Sequence, residues 1–163
     1  MKEFVLQTDE GLAENVREYG CNMRSLQAIA EVESGKRLSV VQVGYLYHLA
    51  AGTQTMSYTC EVKKPKYVIG DAFRLLKWPS SGIQVGRIIE ETTYFWWGEP
   101  YIPWDYTVLE WSTKEGAVDA NRRHFTLGNR KGEELFDPFP GVNKAYLISK
   151  LLYQVYSDRV RYS

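Results

Sequence analysis

The chain has 163 residues, 44% apolar and 25% charged, the proportions of one folded domain with a real core and not of a disordered chain. Twenty basic and twenty acidic residues cancel, so no overall field draws the molecule towards nucleic acid or an anionic membrane. No apolar run approaches the roughly 20 residues that cross a bilayer, and the opening MKEFVLQTDEGLAEN is too polar for a secretory signal, so a cytoplasmic protein without a membrane span is expected.

Residues 22–32 read as the first helix, because Met23, Leu26, Ile29, Ala30 and Val32 form one apolar stripe. Gly20 and Cys21 then stand at its start and Gly35 supplies its stop. Ser39 caps a second helix over residues 40–51, with Gly52 past its end, and a short third helix covers residues 71–78 before Pro79. After this the pattern changes. GRIIEETTYFWW and DYTVLEWST are rich in β-branched and aromatic residues and read as strands, and HFTLGN with EELFDP reads as a hairpin. Residues 143–156 read as a closing helix, with Ala145, Ile148, Leu152 and Val155 on one face. Helices first and an antiparallel sheet after give a single α+β domain spanning 1–163. KKPK and RR are too short for a nucleic-acid footprint.

Cys21 and Cys60 lie 39 residues apart with no CxxC spacing. With two scattered histidines they do not make the four-ligand set of a zinc site, and no cofactor is expected. Two free thiols fit a reducing compartment better than a Cys21–Cys60 disulfide. A thiol at a helix N-terminus faces unpaired N–H groups and about half a positive charge, so Cys21 is expected to have a lowered pKa and to be nucleophilic. The bland alternative is a small buried hydrophobe, and that is the reading for Cys60.

A nucleophilic thiol needs a base, and the base a group to orient it. His48 lies in the apolar GYLYHLAAG and reads as a packing residue, which leaves His124 at the head of HFTLGN. A tight loop at Arg130 and Lys131 sets His124 opposite Asp137, and Phe125 opposite Phe136. A type I turn with a bulge, which Asn129 and Gly132 also suit, shifts that pairing. Either register leaves an ordinary surface hairpin as the plain alternative.

REYGCNMRSLQAIAEV resembles the cysteine-bearing helix start of papain-like peptidases, and RHFTLGNRKGEELFDPFPG resembles their His strand, turn and Asp-Pro strand. The likeness is greatest to peptidases attached to bacteriocin-exporting transporters, and extends to a little-studied papain-like family of spirochaetes and bacteriophages. It leaves most of residues 60–110 unaccounted for. The resemblance implies a papain-like fold with Cys21 as nucleophile, His124 as general base and Asp137 as orienting acid. It also implies an amide six residues before the cysteine for the oxyanion hole. Asn15 stands there in place of the family's Gln, one methylene shorter, and Gln7 lies too far upstream to be assigned that place. Asn22 follows the cysteine where the family often has Gly or Trp.

Tyr94, Phe95, Trp96, Trp97, Tyr101, Trp104 and Tyr106 fall within thirteen residues, interrupted by Pro100 and Pro103. Trp96, Trp97, Tyr101 and Trp104 are the expected substrate-binding surface, with cover for the sheet as the alternative. The expected activity is a thiol hydrolase acting on a peptide or cell-wall peptide, which suits a phage or bacterial protein. The alternatives are an acyltransferase with the same triad, and a weakened binding module for which Asn15 speaks.

Overall fold

The computed structural model of the protein describes residues 3–78, 85–93, 105–113 and 123–157. Among these residues four helices come first: α1 (Glu14–Tyr19), α2 (Cys21–Ser34), α3 (Val40–Gly52) and α4 (Pro65–Leu75). Five strands follow among the described residues: β1 (Val85–Thr93), β2 (Tyr106–Ser112), β3 (Arg123–Asn129), β4 (Glu134–Phe136) and β5 (Tyr146–Ser157). They form one antiparallel sheet in the order β1-β5-β2-β3-β4, and the fold is α+β as expected.

Local chemistry sets the helix ends. Gly35 ends α2 in the left-handed region at φ 71°, which costs glycine nothing. Ser39 caps α3 with a reciprocal pair: its hydroxyl accepts from Gln42 N–H while the Gln42 side chain accepts from Ser39 N–H. The third expected helix is longer and earlier than its apolar residues suggest. Pro65 starts α4 at a position where a missing N–H costs nothing, and the helix ends at Leu75.

Residues 143–156 correct the expectation of a closing helix. All but the last residue of β5 falls in them, and β5 lies between β1 and β2. Where a strand has neighbours on both edges and is buried on both faces, as at residues 152–155, strict alternation is lost and apolar residues fall at helix-like spacings by chance. Leu152, Tyr153, Gln154 and Val155 are buried in succession.

α2 is the central element, packed against both α4 and β3. Ten of its fourteen residues are buried, so its polar side chains must find partners inside. Arg24 pairs with Glu31 at 2.8 Å and donates to Gln27 Oε1 and Val5 O, each at 3.0 Å. Glu31 in turn accepts from Leu38 N–H at 3.1 Å. This network fastens the N-terminal segment and the α2–α3 connection to one helix. Leu26 and Ile29 of α2, Ile69 and Phe73 of α4, and Leu127 and Phe136 of the sheet share a single core.

Candidate active site

Cys21 is the first residue of α2, and only Gly20 separates it from α1. The Gly20 N–H donates to Val16 O at 2.8 Å, and a Cβ on Gly20 would stand 2.4 Å from that same oxygen. Glycine is therefore required for one helix to turn directly into the next. The Ser25 hydroxyl sits 2.8 Å from Cys21 O and 3.2 Å from Phe125 O, which ties the first turn of α2 to β3.

The position of Cys21 is as expected, but its ionisation is not. Cys21 is 8% exposed, and burial pushes its thiol up to about 11. The backbone N–H groups of Phe125, Asn22 and Cys21 itself favour thiolate without overcoming that penalty, and the charge of Asp137 adds to it. At rest the group is a thiol.

His124 lies on β3 opposite Trp111 of β2 and is 3% exposed. Its Nε2 is 2.7 Å from Asp137 Oδ1. Phe139 N–H also donates to Oδ1 at 3.0 Å, and Lys144 Nζ donates to Oδ2 at 3.1 Å. Burial alone would raise the Asp137 carboxyl, but the Phe139 N–H, His124 and Lys144 outweigh it and hold it below the usual range. With Nε2 engaged, Nδ1 is the ring nitrogen left for proton transfer.

His124 and Asp137 meet without the pairing expected of them. The observed partners are Leu127 with Phe136 and Gly128 with Glu134, so Phe125 does not pair with Phe136. Asn129 and Gly132, at φ 84°, make the turn and bulge that were the alternative: Gly132 N–H donates to Asn129 O, and Asn129 Oδ1 accepts from Lys131 and Glu133 N–H. Continued by one step, the Leu127–Phe136 register sets Asp137 opposite Thr126, two residues from His124 on the same face. That diagonal is within reach of an imidazole and a carboxylate.

Asn15 lies on α1, and its amide donates to Tyr58 O at 2.9 Å. The group that the resemblance assigns to an oxyanion hole therefore already serves a carbonyl, bracing the turn that carries Cys60. Gln7, set aside in the sequence, is 1% exposed. Its backbone N–H donates to Pro138 O at 3.0 Å and its amide to Arg17 O at 3.2 Å, so it spans from the residue after Asp137 to α1. Its Oε1 has no partner among the described residues. No local pattern marks Gln7, because the contact that places it is with a residue over a hundred positions away.

Cys60 is buried, with φ 62° and its sulfur 3.8 Å from Asn15 O, and both cysteines are free. Burial, with the charge of Cys21 as a smaller cause, pushes its thiol up to about 12. His48, expected to pack inside its helix, is instead exposed, its ring tilted against Tyr47 at 5.0 Å. Trp96, Trp97, Tyr101 and Trp104 lie outside the described residues. Tyr106, from the same aromatic stretch, is buried and donates to Glu33 Oε2 at 2.5 Å.

A cleft of about 750 Å³ opens beside Cys21, walled by α1, by residues 59–62 and by Glu110, Arg123 and Phe125 of the sheet. Among the described residues no group of three or more His, Cys, Asp or Glu is placed to hold a metal, and no helix is long and apolar enough to cross a membrane. Comparison with known proteins finds no family model, no curated protein and no solved structure that matches this chain.

Proposed function

We propose that the chain is a papain-like thiol hydrolase of peptide or amide bonds, with Cys21 as nucleophile, His124 as base and Asp137 as orienting acid. The observation that carries this reading is the buried His124–Asp137 pair at 2.7 Å, one residue along β3 from the Phe125 N–H that acts on the Cys21 thiol. A thiol held at about 11 is not a preformed thiolate. In this mechanism its proton passes to His124 Nδ1 as sulfur bonds to the substrate carbonyl carbon. The imidazolium then protonates the leaving amine, and His124 takes a proton from water as that water cleaves the thioester and frees the acid. Asp137, held ionised, stabilises the imidazolium between these steps. A peptide, including a cell-wall peptide, is the proposed substrate class.

The developing oxyanion needs donors in addition to the Cys21 N–H. Asn15 and Gln7 each have one amide hydrogen on a carbonyl and a second to offer. Gln7→Ala and Asn15→Ala separate them: loss of the true donor lowers the rate roughly a hundredfold or more. The test of the whole reading is incubation with a 4-nitrophenyl acyl ester followed by mass analysis of the trapped protein. The expected result is one acyl group on Cys21, absent in Cys21→Ala and strongly reduced in His124→Ala. Acylation that ignores His124, or that falls on Cys60, contradicts it. The second reading is a weakened papain-like binding module, which the high Cys21 value and the Asn15–Tyr58 bond favour; it predicts no acyl-enzyme at all.

A further inference from the structure

The cleft beside Cys21 has a charge that the chain as a whole lacks. The sequence balances twenty acidic against twenty basic residues, yet the described lining carries Glu18, Glu61 and Glu110 against the single cation Arg123. Arg123 is bonded to Glu110 at 2.9 Å, so those two cancel. Glu18 at the end of α1 and Glu61 on the far side of the Cys60 turn are exposed and have no ion partner among the described residues. Tyr19, half exposed, puts an aromatic ring on the same wall as Glu18. Glu18 and Tyr19 also line an adjoining hollow with Thr8, Glu14, Arg17 and Phe139, where Glu14 and Arg17 bring opposite charges. Cys21, itself nine-tenths buried, is part of the wall of this cleft.

Carboxylates next to an aromatic face, in a concave site with partly apolar walls, attract a cation and repel an anion more strongly than the same groups on open surface. We propose that the cleft receives a lysine or arginine side chain of a peptide substrate, with Glu18 and Glu61 as the residues that select it. Tyr19 supplies the surface along which the aliphatic stem and charged head lie. This selection rests on Cys21 being the nucleophile, since it concerns what is presented to that sulfur.

The test uses small thiol reagents that differ in charge, and it needs no turnover. Methanethiosulfonates bearing a trimethylammonioethyl or a sulfonatoethyl group each form a mixed disulfide with a cysteine and release methanesulfinate. Rates at Cys21 are read by peptide mass mapping, which keeps Cys60 separate in the unaltered protein, and are normalised to a small free thiol. The expected cation-to-anion ratio at Cys21 is roughly tenfold or more at low ionic strength, shrinking towards one in about 0.5 M salt. Glu18→Gln with Glu61→Gln, both at exposed positions, brings the ratio near one. A wild-type ratio of one or less, or a ratio the double variant leaves unchanged, overturns the proposal. Should acyl-enzyme form while the reagents react alike, charge selection falls and the hydrolase stands. Should the ratio persist without any acyl-enzyme, the cation site stands and the hydrolase falls. As a confirming arm on an active protein, an N-acyl-lysine ester is turned over faster than the matching glutamate ester, and the double variant narrows the difference.

Discussion

The two cysteines of this chain share a cleft and a degree of burial, and differ in almost everything else. Cys21 opens a fourteen-residue helix, behind a glycine whose Cβ would meet a backbone carbonyl, beside a strand that carries a buried imidazole. Cys60 sits in a left-handed turn braced by the Asn15 amide, its sulfur directed at a carbonyl oxygen. Burial raises both thiols, so burial cannot be what distinguishes the proposed nucleophile from the packing residue. The distinction lies in neighbours: backbone N–H groups for one, a carbonyl for the other, and His124 is the base proposed for the first.

The largest change expected from breaking this difference is at the base. His124→Ala should lower the rate of Cys21 acylation by roughly 10⁴-fold, measured with an activated ester, and leave Cys60 as inert as before. Next comes the helix under Cys21. Glu31→Ala strands a fully buried Arg24, at a cost of roughly 3–5 kcal/mol in denaturant unfolding, whereas replacing both with apolar residues of similar volume should cost far less. Gly20→Ala drives a Cβ against the Val16 carbonyl and should cost about 1–3 kcal/mol, with a visible loss of Cys21 acylation because the first turn of α2 must move. The smallest effect belongs to the other thiol. Asn15→Ala should cost about 1 kcal/mol and raise the alkylation rate of Cys60 more than that of Cys21, by loosening only the turn that Asn15 braces.

How much of this the sequence carried depends on the range of the interaction. α2, with Gly35, and α3, with its Ser39–Gln42 cap, are legible because their signals lie within one or two turns of chain. β5 is not, since its identity as a central strand depends on β1 and β2, which are distant in sequence. At the site, His124 and Asp137 are readable as partners, although the bulge at Gly132 moves the register by which they meet. The helix-start position of Cys21 is readable too. Its raised pKa is not, because burial is a property of the packed molecule and here exceeds the local effect of backbone N–H groups. Gln7 and the Glu18–Glu61 cleft exist only once the chain has folded.

The central claim is that neighbours, and not burial, separate the two thiols, and the pH dependence of alkylation by a neutral reagent tests it most directly. Only thiolate reacts, so with Cys21 near 11 and Cys60 near 12 both rates should climb about tenfold per pH unit from 7 to 10 without a plateau. Cys21 should run roughly ten times ahead of Cys60 throughout. In His124→Ala this alkylation profile should stay as it is, because His124 is not among the groups that set the Cys21 value, while acylation of Cys21 by an activated ester falls. Equal alkylation rates at the two thiols in the wild type, or a Cys21 acylation rate that His124→Ala leaves untouched, would contradict the account.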